Sequence, residues 1–264
     1  MNAQTRDPRP LVPEPGTTAP KCFKLLIEYD GTAYHGWQHQ GELPTIQGEI
    51  ERALAAISGR RVRVFGSGRT DAGVHAWGQV ASLSLETRLG PQELQRALNG
   101  LLPADIVIRG CALAEPGFHA RYSARSKVYH YRILNRPTAA AVGRQYVWAV
   151  RRPLDRKAMR AALAPLLGRH DFKAFEGAGS PRRHSVREVI SAELTEAAPD
   201  ELLFAIEADG FLRGLVRNIV GTLVEVGKGK RPAEDVARIL DSRDRRTAGI
   251  TAPPQGLFLV EVRY

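Results

Sequence analysis

Residues 61–85 read RVRVFGSGRTDAGVHAWGQVASLSL. Arg61-Val62-Arg63-Val64-Phe65 alternates charged and apolar side chains, the period of a strand with one buried face, and Ala81-Ser82-Leu83-Ser84-Leu85 alternates again. Between them Gly66, Gly68 and Gly73 punctuate a tight loop that carries a single carboxylate, Asp71, two residues after Arg69. The stretch therefore reads as strand, loop, strand, with Asp71 on display where the chain turns.

Working outward, Phe23 to Tyr29 is a β-rich run closed by the turn signal Asp30-Gly31. Ile46, Ile50, Ala53, Leu54 and Ile57 form a helical stripe with Thr45 as N-cap. Beyond the loop, Pro91 opens a short helix through Leu94 and Leu98 with Asn99-Gly100 as its stop, and Asp105 to Arg109 is a further strand. The first half thus reads β-α-β-β-α-β. The second half repeats this order more loosely. Lys127 to Leu134 is a strand with Tyr129, Tyr131 and Ile133 on one face, followed by a helix capped by Asp155 that Pro165 bends or shortens. Strands at Val186–Leu194 and Leu202–Ala208 come next, then the cleanest helical stripe of the chain, from Leu212 through Leu215, Val216, Ile219, Val220, Leu223 and Val224. A short helix capped by Pro232 and a strand from Leu257 to Val262 close it.

This order predicts an α+β fold of two ferredoxin-like halves, residues 21–118 and 119–264, with mainly antiparallel sheets, helices packed on one face and an active-site cleft between the halves. Residues 1–20 hold five prolines and almost no large apolar side chains, the composition of a disordered tail.

A chain of 264 residues is long enough to fold without staples, and Cys22 and Cys111 form no CxxC pair, so a reduced cytoplasmic setting is expected. The longest apolar stretch, near Leu215 to Val226, is broken by Arg217, Asn218 and Glu225 and falls short of the roughly 20 residues that span a bilayer, so no membrane is expected. A formal charge of +10 suits a protein that grips phosphate backbones, although many basic proteins do not.

Taken alone, an Asp between glycines is more often an Asx-type turn than a catalyst. The glycine spacing fits no dinucleotide fingerprint, and no Lys-Ser or Lys-Thr follows as a P-loop demands. His35 and His39 are four apart, but Gly36 and the Asp30-Gly31 turn argue against a helix there and no carboxylate or cysteine completes a zinc set. His75 reads as a structural hydrogen-bonding residue.

The full string Gly68-Arg69-Thr70-Asp71-Ala72-Gly73-Val74-His75-Ala76 resembles the active-site signature of the tRNA pseudouridine synthase A family. Tyr29-Asp30-Gly31-Thr32-Ala33-Tyr34-His35-Gly36-Trp37-Gln38 is similar to its opening motif, and Phe118 to Ala124 to the segment entering its second half. Ser126 to Arg132 is similar to its substrate-tyrosine motif, and Leu215 to Gly221 to its arginine helix. These motifs run in family order over about residues 23 to 264.

The resemblance implies an isomerase that converts uridine to pseudouridine in the tRNA anticodon arm, at positions 38, 39 and 40, working as a homodimer. Breaking the N1 glycosidic bond and rejoining uracil through C5 involves no redox change and no net hydrolysis, so no metal or organic cofactor is required. Asp71 is implied to be the nucleophile, its candidate acts being attack at C1′, attack at C6 or removal of a proton from C2′. Arg217 is implied to pair with Asp71, Arg69 to contact the RNA around the extruded base, and Tyr129 to stack on the target uracil and assist proton transfer, with Tyr131 as packing. By helix position alone Arg217 would be a surface arginine with a buried stem. Lys173, Arg182, Arg183 and Arg187 around the Gly177–Pro181 loop, and Arg243 to Arg246, are candidate phosphate contacts. Rival readings are a synthase with another RNA target, a tRNA methyltransferase, which lacks a cofactor fingerprint here, and a non-catalytic tRNA-binding protein.

Overall fold

The structure, a computed structural model, describes residues 19–179 and 184–264. All but the last two residues of the expected tail, and both Arg182 and Arg183, lie outside the described residues. Ten strands form one sheet: β1 (Lys21–Tyr29), β2 (Phe65–Gly66), β3 (His75–Leu85), β4 (Ile106–Leu113), β5 (Ser126–Leu134), β6 (Trp148–Ala149), β7 (Gly168–Asp171), β8 (Val186–Ala198), β9 (Glu201–Ala208) and β10 (Leu257–Arg263). The helices are α1 (Ile46–Ser58), α2 (Pro91–Leu101), α3 (Arg156–Ala161), α4 (Leu215–Gly227) and α5 (Asp235–Ser242).

The strand order is β4-β1-β3-β10-β5-β9-β8-β7, with β2 beside β3 and β6 beside β5. Pairing is antiparallel except for β10 with β3 and β6 with β5. The strands of the two halves are thus joined edge to edge, because β10 lies parallel to β3 at Phe258↔His75 and antiparallel to β5 at Leu259↔Tyr129. The chain is α+β with a large, mainly antiparallel sheet, as expected, and the sheets of the two halves are continuous.

Alternation sets which face is buried. Phe23, Leu25 and Ile27 of β1, Ile106 and Ile108 of β4, Tyr131 and Ile133 of β5, and Phe204 and Ile206 of β9 are each at most 2% exposed. They form one core with the apolar stripes of the helices, including Ile46, Ile50 and Leu54 of α1 and Ile219, Val220 and Leu223 of α4. The alternate residues Leu26, Trp77 and Val107 stay exposed on the other face.

Several boundaries moved, each for a traceable reason. Arg61–Val64 alternates in burial as a strand would, yet only Phe65–Gly66 joins the sheet. The Val64 backbone is already occupied by α1, its N–H donating to Glu51 Oε1 and its carbonyl accepting from Gln47 Nε2. Asn99-Gly100 does not stop α2, which runs to Leu101; the Asn99 amide is instead paired in both directions with the Ile108 backbone. Asp155 caps α3 by accepting from Ala158 N, and the helix lasts six residues before Pro165 enters a 3-10 turn. The last helix starts at Asp235, three residues beyond the expected Pro232 cap. No helix among the described residues is long and apolar enough to cross a membrane.

Candidate active site

Asp71 lies on the loop between β2 and β3, and the opening motif is folded against the back of that loop. Trp37 N–H donates to Thr70 O (3.1 Å), and Gly73 N–H donates to Tyr34 O (3.3 Å). Gly36 makes this approach possible: its φ is +88°, and a Cβ there would stand 2.4 Å from Thr70 O. Beneath the loop runs a buried polar network. Tyr29 and Thr70 share a hydroxyl hydrogen bond of 2.8 Å, Ser67 Oγ donates to Gln79 Oε1 (2.7 Å), and Gln79 Nε2 donates to Gly68 O (3.0 Å). Ser67, Thr70 and Gln79 are all buried, so each of these bonds holds the loop in one geometry rather than competing with water. Burial pushes the Tyr29 phenol up to about 12.

His75 closes the other end of the loop. Its Nε2 faces Gln145 O (3.0 Å), while Nδ1 lies 3.0 Å from both Gly31 N and Asp30 Oδ1. The neutral ring with its proton on Nε2 fits this arrangement, since Nδ1 can then accept from Gly31. Burial, the dominant influence, lowers the His75 pKa against the opposing pull of Asp30. Asp30 also accepts from Tyr146 Oη (2.7 Å).

The structure brings Asp71 and Arg217, 146 residues apart in the chain, together. Arg217 Nη1 donates to Asp71 Oδ2 at 2.9 Å, with the two side chains 18% and 33% exposed. Arg217 Nε donates to Ala252 O (2.7 Å), so the guanidinium is fixed between α4 and the segment before β10. Tyr129 is buried, its ring edge-on to Phe211 at 4.7 Å, and burial together with Tyr29 and Asp71 raises its pKa well above the ordinary phenol value. The Tyr129 hydroxyl makes no hydrogen bond among the described residues, whereas Tyr131 Oη is spent on Pro253 O (2.7 Å). Arg69 is exposed and makes no ion pair or hydrogen bond there either. An ionised carboxylate aimed by a guanidinium, a neutral phenol beside it and a free cation at the rim can hold an anionic polymer and attack an electrophilic carbon.

Some of these residues escaped the sequence reading. Lys127 is 8% exposed, two residues before Tyr129 on β5, and its chain passes 3.5 Å from where a Gly68 Cβ would stand. It and Thr70 lie inside the quoted motifs, where spacing could have marked them; Gln79 carried no such signal. Lys173, Arg243, Arg245 and Arg246 line a separate groove, and Arg187 is half-buried at the start of β8. Among the described residues no group of three His, Cys, Asp or Glu side chains could hold a metal ion.

The profile of the tRNA pseudouridine synthase family matches residues 25–123 and 162–264. A protein of Myxococcus xanthus named tRNA pseudouridine synthase A is 48% identical over 92% of this chain and 91% of its own. Its namesake in Thermoanaerobacter sp. strain X514 is 45% identical over 91% of this chain and 98% of its own. A solved H/ACA RNP bound to a substrate RNA containing 2′-deoxyuridine is a distant likeness, at 14% identity and a TM-score of 0.35 over 77% of this chain and 44% of that one.

Proposed function

The chain belongs to the tRNA pseudouridine synthase family, and from that premise we propose that it isomerises uridine to pseudouridine in the anticodon arm of tRNA, at positions 38, 39 and 40, with Asp71 as the nucleophile. The observation that carries this reading is the 2.9 Å contact of Arg217 with Asp71. In the reaction the N1–C1′ bond breaks, the uracil turns over, and a C5–C1′ bond forms as C5 gives up its hydrogen and N1 gains one. Attack at C1′ or at C6 both need an ionised, aimed carboxylate. Arg217 aims it, and the network under Thr70 holds the loop still.

Tyr129 supplies a ring for the detached base to stack on and an uncommitted hydroxyl to hydrogen-bond it. Arg69 contacts the RNA at the rim, where a base extruded from a stem leaves a gap. The working assembly is a homodimer in the cytoplasm, as the family resemblance implies; light scattering that gives the mass of one chain would overturn the dimer.

The deciding experiment measures tritium release from tRNA labelled at C5 of uridine. Wild type should release tritium, while Asp71→Asn and Asp71→Ala should bind tRNA and release none. Turnover that survives in Asp71→Ala sinks the nucleophile assignment.

A further inference from the structure

Two basic segments that are far apart in the chain meet in one groove. The groove encloses about 410 Å³ and is lined by Lys173, Gly177, Arg243, Arg245 and Arg246 among others. It is tied to the active site through two adjacent segments. Arg245 Nη2 donates to Asn218 Oδ1 and to Thr251 Oγ1, both at 3.0 Å. Asn218 follows Arg217 on α4, and Thr251 precedes Ala252, whose carbonyl fixes Arg217. The guanidinium at Asp71 and the guanidinium in the groove are therefore held by neighbouring residues on the same two supports.

The groove's charge is positive: four cations, Lys173, Arg243, Arg245 and Arg246, against two carboxylates, Glu176 and Asp244. The side chains of Arg246, Arg243 and Lys173 are 90%, 69% and 52% exposed. The ion pairs of Arg246 with Asp244 (2.6 Å) and of Arg243 with Asp171 (3.3 Å) are of the exposed kind that adds little to stability, whereas Lys173 pairs at 2.7 Å with Glu176, whose side chain is buried. The two arginine pairs can be exchanged for phosphate oxygens at small cost, while Lys173 stays committed to the buried Glu176.

Arg243 adds an independent observation. It ends α5 at φ 52°, and it is the one residue other than glycine with positive φ among the described residues. A helix ends in that conformation most easily with glycine, and an L side chain there is strained. An exposed arginine in a strained position, paired weakly at 3.3 Å, is poorly explained by stability and well explained by a ligand for its head.

We propose that this groove is a phosphate-binding subsite that holds the sugar-phosphate backbone of the same RNA whose target uridine enters the Asp71 pocket. The proposal rests on the tRNA reading above. It makes Arg243 a positioning residue, which acts on KM through the hold on the backbone rather than on the chemical step.

The test is Arg243→Gly, with Arg243→Asn as a second variant suited to positive φ. Binding of unmodified tRNA is measured between 50 and 200 mM salt, a range over which phosphate contacts weaken steeply. Arg243→Gly should melt at or above the wild-type temperature, bind about tenfold more weakly, and lose about one unit of log K against log salt slope. The loss should appear in KM rather than kcat. A wild type that binds and turns over tRNA beside an Arg243→Gly of equal affinity and slope overturns the groove alone. A wild type that releases no tritium overturns the uridine reading, and the groove is then judged on the salt slope of RNA binding by itself.

Discussion

Tyr129 and Tyr131 stand two apart on the same face of β5, and their periodicity gives them equal rank. Their hydroxyls divide them: that of Tyr131 is bonded to Pro253 O, and that of Tyr129 is uncommitted. Burial keeps the Tyr129 phenol neutral, so its hydroxyl can donate to the base, and Tyr129→Phe should lower kcat by roughly 10²-fold or more with little change in KM. A loss confined to KM would reduce Tyr129 to a stacking ring. His75 yields a pH prediction. Its folded pKa lies below its unfolded value near 6.5, so the unfolded chain takes up the proton first as pH falls. Stability is then lost as pH drops from about 6.5 through the folded pKa. His130, lowered by burial, acts in the same direction. The melting temperature should fall between pH 7 and pH 5, and His75→Gln should flatten that slope; an unchanged slope would contradict a buried neutral His75. The loop that carries Asp71 was legible because it is local in sequence. Gln79 was not, because a glutamine in an alternating strand becomes a loop anchor only when the burial of its neighbours is known.

At the scale of elements, α4 does more than its apolar stripe suggested. The stripe predicted a buried helix and left Arg217 just outside it, but Asn218 and Thr222 are also buried, at 1% exposure each. Thr222 Oγ1 accepts from Gly249 N (2.9 Å) and Asn218 Oδ1 from Thr251 Oγ1 (2.7 Å), so the polar side of α4 is a seat for residues 249–252. Gly221 lets that segment approach: a Cβ there would fall 1.7 Å from Ile250 O. Gly221→Ala therefore forces the segment away and takes the Ala252 carbonyl from Arg217. Ala is the better helix former by about 1 kcal/mol, but the clash should win, costing about 1–3 kcal/mol net and lowering kcat with it. Thermal melting and tritium release check both parts, and a variant with unchanged or raised melting temperature would show that the contact does not constrain the pair. Helix stripes and caps were legible from local spacing. The strand expected at Arg61–Val64 was not, since its hydrogen-bond partners are side chains of α1.

For the whole molecule, the two-half element order was visible in the sequence, whereas the continuity of the sheet was not. It depends on two parallel pairs, Phe258↔His75 and Leu259↔Ala76, between segments almost two hundred residues apart, and no local pattern announces such a contact. Its consequence reaches the candidate active site, because β10 separates β3, which leaves the Asp71 loop, from β5, which carries Tyr129. Leu259 is fully buried at that seam, paired with Ala76 on one side and Tyr129 on the other. Leu259→Ala should cost about 2–5 kcal/mol, and the loss should fall on both halves together. Hydrogen exchange followed by mass spectrometry along a denaturant series tests this, since β1 reports on the first half and β9 on the second. One shared transition, moved equally in the variant, is expected from a seam that couples the halves. If β1 and β9 instead lose protection at separate denaturant concentrations, or Leu259→Ala weakens only one of them, the halves are independent units and the relative placement of Asp71 and Tyr129 must be maintained by the Arg217 contact alone.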